Sequence, residues 1–209
     1  MKQQKVILVL VLVFVLLLAG AALLYNTLSK NMETDQLATL PGQEQTTPET
    51  SVPPETTEPP ETTAPTETEP EKNPAPDFTV YDENGNAVKL SDYFGKPIVL
   101  NFWASWCGPC KSEMPDFQKV FEEMGDEVQF LMVNSTGGRE TLDSAKAFIA
   151  DSGYTFPVFY DTDLDASTIY GVYSLPSTYF IDGEGNAIAK ATGAITESLL
   201  LKGIGMITE

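Results

Sequence analysis

An α/β domain with a parallel β-core, carried behind a membrane-spanning anchor and a low-complexity linker, is the architecture this sequence predicts. Three observations predict it: an unbroken apolar run near the N-terminus, an abrupt change of composition after it, and an alternation of strand-like and helix-like segments beyond residue 77. The expected boundaries are 1–30 for the anchor, 31–76 for the linker and 77–209 for the domain.

The apolar run extends from Val6 to Leu24. At about 1.5 Å per residue it nearly matches a hydrocarbon core of roughly 30 Å. A secretory signal core is shorter, about 7 to 15 residues, and the small-residue cluster Ala19-Gly20-Ala21 is followed by further apolar residues, so the segment is expected to stay attached. Ala21 stands where a lipoprotein signal would carry its cysteine. Lys2 and Lys5 precede the run and Lys30 follows it, which places the N-terminus in the cytoplasm and predicts a single-pass membrane protein with its C-terminal domain outside.

From Asn31 to Pro76 the chain is dominated by Thr, Pro and Glu, with a short unit repeated as Pro54-Glu55-Thr56-Thr57 and Pro60-Glu61-Thr62-Thr63. Such a segment buries too little apolar surface to offset its chain entropy and is expected to be a disordered tether. In extended polyproline form its reach approaches roughly 100 Å. A glycosylated Thr/Pro stalk is the alternative reading of the same composition.

Charge divides along these boundaries: residues 1–32 carry +3, residues 33–77 carry −10 and residues 78–209 carry −11, within a net −18. A domain this acidic, without a basic stripe, is not expected to bind nucleic acid. The run Asp161-Thr162-Asp163-Leu164-Asp165 opens like a calcium loop, but Ala166 occupies the position that needs glycine and Val172 the one that needs glutamate, so calcium binding is rejected. Asn134-Ser135-Thr136 is a formal glycosylation sequon, read here as the end of a strand.

Within the domain, strands at 78–81 and 87–90 flank Asp82-Glu83-Asn84-Gly85-Asn86 as a hairpin. The run from Pro97 to Trp103 reads as a buried central strand. Met114, Phe117, Val120, Phe121 and Met124 then mark one apolar face of a helix over 111–124, with Cys107 at its N-terminus. A strand at 128–134, a helix at 140–152 and a strand at 157–160 continue the alternation and imply the parallel core. A short helix at 166–170, a second hairpin from strands 177–181 and 187–191 about Asp182-Gly183-Glu184-Gly185-Asn186, and a helix at 198–207 complete the chain.

Cys107 and Cys110 are the only cysteines, three positions apart in Trp106-Cys107-Gly108-Pro109-Cys110. At that spacing the sulfurs can join and separate without refolding, whereas so short a loop adds little stability. A zinc or copper centre needs about four ligands. Two thiols and no histidine do not supply them, so no metal and no cofactor are expected and redox chemistry is.

Residues 74–209 resemble the membrane-anchored, thioredoxin-like thiol-disulfide oxidoreductases of the TlpA/ResA type. The resemblance is carried by Ala75-Pro76-Asp77-Phe78, by Val99-Leu100-Asn101-Phe102-Trp103-Ala104-Ser105-Trp106 running into the cysteines, by Glu113-Met114-Pro115, and by the stretch from Gly171 through Leu175-Pro176 to Asp182. It implies a thioredoxin fold with an N-terminal β-hairpin extension and a central helical insertion at about residues 139–160. Cys107, at a helix N-terminus that favours its thiolate, is expected to attack, and the deeper Cys110 to resolve the mixed disulfide.

The resemblance also implies a cis bond before Pro176, in a loop facing the cysteines that leaves the Leu175 backbone free to pair with a client strand. Trp106, Gly108 and Pro109 would complete the contact surface, while Trp103 is assigned to the core. Glu113 matches a position that tunes the cysteine pair, set against the alternative of a solvated helix acid. Asn101 replaces the buried aspartate of cytoplasmic thioredoxins, which leaves Glu113 as the substitute proton acceptor. The expected partners are oxidised client proteins, apocytochrome c among the candidates, and a transmembrane electron donor. A disulfide-forming oxidant and a non-catalytic client holder are the competing readings. A peroxidase is disfavoured because it needs a lone cysteine with an activating arginine, and Arg139 is the only arginine, expected away from the cysteines.

Overall fold

The computed structural model describes residues 37–40 and 73–208. The expected anchor and most of the expected linker lie outside the described residues. Among the described residues no helix is long and apolar enough to cross a membrane. The strands are β1 (Leu37–Thr39), β2 (Thr79–Tyr81), β3 (Ala87–Lys89), β4 (Ile98–Trp103), β5 (Gln129–Asn134), β6 (Val158–Tyr160), β7 (Ser177–Ile181) and β8 (Ala187–Thr192). The helices are α1 (Gly108–Met124), α2 (Leu142–Ser152), α3 (Asp165–Ile169) and α4 (Glu197–Thr208). One mixed sheet runs in the order β1-β8-β7-β4-β5-β6-β2-β3. Its β4, β5 and β6 are parallel, as the strand-helix alternation requires, and β7 and β8 continue it antiparallel. The architecture is the expected thioredoxin-like fold.

Strand β4 is buried at every position, so its alternate side chains feed two cores. Val99 and Trp103 face α1 and α4, packing with Met114, Phe117, Val120, Leu200 and Ile204. Ile98, Leu100 and Phe102 face the other side, under the N-terminal hairpin and α3, with Phe78, Leu90 and Tyr170. A strand covered on both faces is apolar except where a buried polar group is hydrogen-bonded, and in Pro97–Trp103 only Asn101 is such a group. Gly203, which lowers the helix propensity of the last segment, has a packing reason: a Cβ there would stand 2.2 Å from the Phe180 ring, so its absence lets α4 lie directly on β7.

The two hairpins share one device. Asp82 accepts hydrogen bonds from the backbone N–H groups of Asn84 and Asn86, and Asp182 from those of Glu184 and Asn186. Gly85 and Gly185 take the left-handed conformation between them. Three aspartates also find structural roles. Asp161 caps the N-terminus of α3 through the N–H groups of Ala166 and Ser167, while Asp163 and Asp165 bind the Tyr81 hydroxyl and the Thr79 N–H. Asn134 is the buried last residue of β5, its Oδ1 accepting from the Thr136 hydroxyl.

One correction concerns the linker. Residues 37–40 fall inside the segment expected to be a disordered tether, yet Leu37, Ala38 and Thr39 pair antiparallel with Ala191, Lys190 and Ala189, and the Leu40 N–H donates to the Ile188 carbonyl at 3.0 Å. Two apolar side chains explain it, since Leu37 packs on one core and Leu40 on the other, while the backbone covers an otherwise open sheet edge. Asn73 docks on the adjacent residue of the same strand, its carbonyl accepting from the Ala187 N–H at 2.8 Å. Residues 40 and 73 therefore both dock on β8, and residues before 77 pair with the domain. Deleting residues 37–40 is expected to cost about 1–2 kcal/mol of stability and to speed hydrogen exchange along β8 at least about tenfold. Unchanged exchange in β8 would mean that the strand does not form.

Candidate active site

The cysteines follow the C-terminal end of β4, an interior strand of the sheet. Three residues, Ala104-Ser105-Trp106, link the strand to Cys107, the N-cap of α1, whose sulfur accepts from the Cys110 N–H at 3.2 Å. Pro109 sits in the first turn, where its missing N–H costs nothing. Cys107 and Cys110 are joined in a disulfide, with Cα atoms 5.3 Å apart. Cys107 is 4% exposed and Cys110 0%, so the small exposure of the pair belongs to the residue at the helix terminus. Gly108 and Pro109 are exposed beside it.

Glu113 is not a solvated helix acid. It is 2% exposed, one turn beyond Cys110, and its two carboxylate oxygens accept from the Asn101 Nδ2 and the Ile195 N–H, each at 2.9 Å. Asn101 Nδ2 also donates to the Thr178 hydroxyl at 3.0 Å, so the network ties α1 to β4, to β7 and to the segment entering α4. Burial pushes the Glu113 carboxyl up to about 7; the hydrogen bonds from Ile195 and Asn101 oppose the shift and the nearby Asp116 adds to it. The structure thus brings the expected Glu113 and Asn101 into direct contact.

The Leu175–Pro176 bond is cis, as the family resemblance implied. Leu175 and Trp106 line one cleft of about 630 Å³, together with Leu164, Tyr173 and the backbone of Gly137 and Gly138. Neither cysteine lines this cleft; Cys107 follows its wall residue Trp106 directly in the chain. Trp106 is 45% exposed and Tyr173 98% exposed, so two aromatic faces stand open around this cleft. Trp103 is fully buried, as assigned.

Three contributors escaped the sequence reading. Tyr173 was seen only as part of a motif. Arg139, expected away from the cysteines, places its guanidinium 4.7 Å from the centre of the Trp106 ring. Glu140, expected as the first residue of a helix, instead precedes the N-cap Thr141 and turns inward; 3% exposed, it binds Ser105. Nothing in the local pattern around residue 140 announces a partner 35 residues earlier in the chain.

Comparison with known proteins agrees with this geometry. The sequence profile of the AhpC/TSA family matches residues 72–190. The thiol-disulfide oxidoreductase ResA of Bacillus subtilis (strain 168) is 38% identical over 133 residues, covering 62% of this chain and 72% of ResA. Among solved structures, the exposed lipoprotein thioredoxin Etrx1 of Streptococcus pneumoniae strain TIGR4 superposes with a TM-score of 0.55 at 33% identity, covering 61% of this chain and 96% of Etrx1. StoA from Bacillus subtilis superposes with a TM-score of 0.55 at 25% identity, covering 61% of this chain and 96% of StoA.

Proposed function

Because this chain belongs to the AhpC/TSA family and is a thiol-disulfide oxidoreductase of the ResA type, we propose that it works outside the cell membrane as a reductase of oxidised protein thiols, tethered through residues 6–24. The observation that carries the reading is the Cys107–Cys110 disulfide at the N-terminus of α1 with the buried Glu113 carboxyl one turn behind it. In the reduced protein the Cys107 thiolate attacks one sulfur of a client disulfide. A Cys107–client disulfide forms, the client S–S bond breaks, and the departing client sulfur leaves as a thiolate and takes a proton from solvent. Cys110 then gives up its proton, for which Glu113 is the nearest carboxylate along the helix, and attacks the Cys107 sulfur. The second client thiolate departs and is protonated, so the client gains two electrons and two protons while this protein ends as the disulfide.

The cleft beside Trp106 supports a protein client. An extended client segment laid along Leu175 pairs backbone to backbone while its side chains meet Trp106 and Tyr173. Apocytochrome c is the client that the family resemblance suggests. An oxidising exterior supplies no thioredoxin reductase, so the disulfide is returned to dithiol by a membrane protein that carries two electrons across.

Direction depends on how strongly the Cys107 thiolate is stabilised, because strong stabilisation makes the disulfide an oxidant. The helix terminus and Arg139 stabilise it; the carboxylates of Glu113 and Glu140 and the acidic surface oppose them. The balance favours a stable disulfide and a reducing protein. Equilibration of the full chain with glutathione at known ratios is expected to give a potential near about −270 mV, the thioredoxin end of the scale, and far from about −120 mV. A value in the upper half of that interval would favour the disulfide-forming alternative.

A further inference from the structure

We propose that Arg139 and Glu140 act together as positioning residues for the nucleophile-bearing loop, gripping Ser105 and Trp106, the two residues that precede Cys107. The proposal rests on Cys107 being the attacking cysteine, as argued above.

The grip has two jaws of different chemistry. Glu140 is almost fully buried, and its carboxylate accepts from the Ser105 N–H at 2.6 Å and from the Ser105 hydroxyl at 2.9 and 3.0 Å. It also accepts from the Ser144 hydroxyl at 2.8 Å, and Ser144 forms the capping box of α2 with Thr141. A buried carboxylate satisfied by a loop N–H holds that loop more tightly than a neutral acceptor would, since charge-assisted hydrogen bonds are roughly twice as strong. The second jaw is the Arg139 guanidinium over the Trp106 indole. A guanidinium held over the face of an indole restrains where that ring can lie. Adjacent residues of one segment thus hold adjacent residues of another.

The placement matters because the gripped segment does two jobs. Trp106 forms one wall of the client cleft, and the glycines just before Arg139, Gly137 and Gly138, form part of the same cleft. Cys107 follows Trp106 directly and caps α1. The 137–140 segment therefore sets the cleft wall and the sulfur's approach from a single origin, the N-terminus of α2. The inserted helix, otherwise only a cover for the sheet, becomes the support of the reactive loop.

The two residues carry opposite charge, and this gives the test its discrimination. Full-length protein, reduced, is alkylated with iodoacetamide across pH, and the modified cysteine is identified by mass spectrometry. Acrylamide quenching of tryptophan fluorescence is measured alongside, and it reports Trp106 because Trp103 is fully buried. Arg139→Ala and Glu140→Gln are both expected to raise the quenching of Trp106, by about twofold, because each opens one jaw. They are expected to move the Cys107 alkylation profile in opposite directions, up in pH for Arg139→Ala and down for Glu140→Gln, each by about half a unit, because each removes a charge of opposite sign. Lys111 and Glu113 on α1, and Asp116 beyond them, are the same in every variant. Arg139 is exposed, so Arg139→Ala tests the proposal even if Glu140→Gln folds poorly. Arg139→Lys is expected to restore the alkylation profile without restoring the protection of Trp106. Unchanged quenching and an unchanged profile in the variants, whatever their melting temperatures, would overturn the positioning role. Alkylation of Cys110 in place of Cys107 would overturn the assignment of the nucleophile instead.

Discussion

Replacing Cys107 by Ser is expected to lower client reduction at least about a thousandfold, and replacing Cys110 by Ser to convert the protein into a covalent trap for its clients. The first expectation follows from geometry. Cys107 is the less buried of the two cysteines and the one that stands at the helix N-terminus, and a hydroxyl in its place has no comparable nucleophilicity near neutral pH. The second follows from the order of events. Once the Cys107–client disulfide has formed, only the buried Cys110 is placed to break it, so Cys110→Ser leaves the mixed disulfide standing. Non-reducing electrophoresis of the full-length variants with an oxidised client reads both outcomes. Equal trapping by the two variants would show that neither sulfur is committed to one role. Client binding and biological function retained in full by Cys107→Ser, with reduction abolished, would leave a client-holding function without redox chemistry as the better reading.

The features of this molecule that were legible in the sequence are those written in short-range pattern. The run Pro97–Trp103 and the periodicity of Met114, Phe117, Val120 and Phe121 located β4 and α1 because a strand covered on both faces and a helix covered on one leave distinct apolar signatures. The cysteine pair announced its chemistry by spacing alone. Pro176 required the family resemblance, since the local sequence of an X-Pro bond favours trans. Glu113 could have been placed: it lies on the same helical stripe as Cys110, Met114 and Phe117, and a carboxyl on an apolar stripe is a buried carboxyl. Arg139 and Glu140 could not, because their partners Trp106 and Ser105 lie more than thirty residues away, across the strand β5. Strand β1 escaped for a third reason. Its pairing with β8 is made by backbone groups, and only Leu37 and Leu40 distinguish it within a polar run.

The buried carboxyl of Glu113 should make the stability of this domain fall as pH rises through neutrality. Its folded value is raised from an ordinary 4.5 to about 7, chiefly by burial, so between those limits the folded state holds a proton that the unfolded state has released. Stability is then greatest below about pH 4.5 as far as this group is concerned, declines as pH climbs toward 7, and stays low above it. The shift corresponds to roughly 3 kcal/mol over that window. Asn101 is suited to both protonation states. Its Nδ2 now donates to the carboxylate, while its Oδ1 has no partner among the described residues and would accept the acid proton if the amide turned over. Glu113→Gln carries a neutral amide into the same contacts, so it should flatten this part of the pH dependence and exceed the wild type in stability at pH 8 while matching it near pH 4.5. Denaturant unfolding of the oxidised full-length proteins at a series of pH values measures this difference. The same substitution removes a negative charge one turn behind the cysteines, so in the reduced protein it should lower the pKa of Cys107. Parallel stability profiles for the two proteins would mean that Glu113 stays ionised when buried, and its part as the proton acceptor for Cys110 would then rest on the carboxylate form throughout the neutral range.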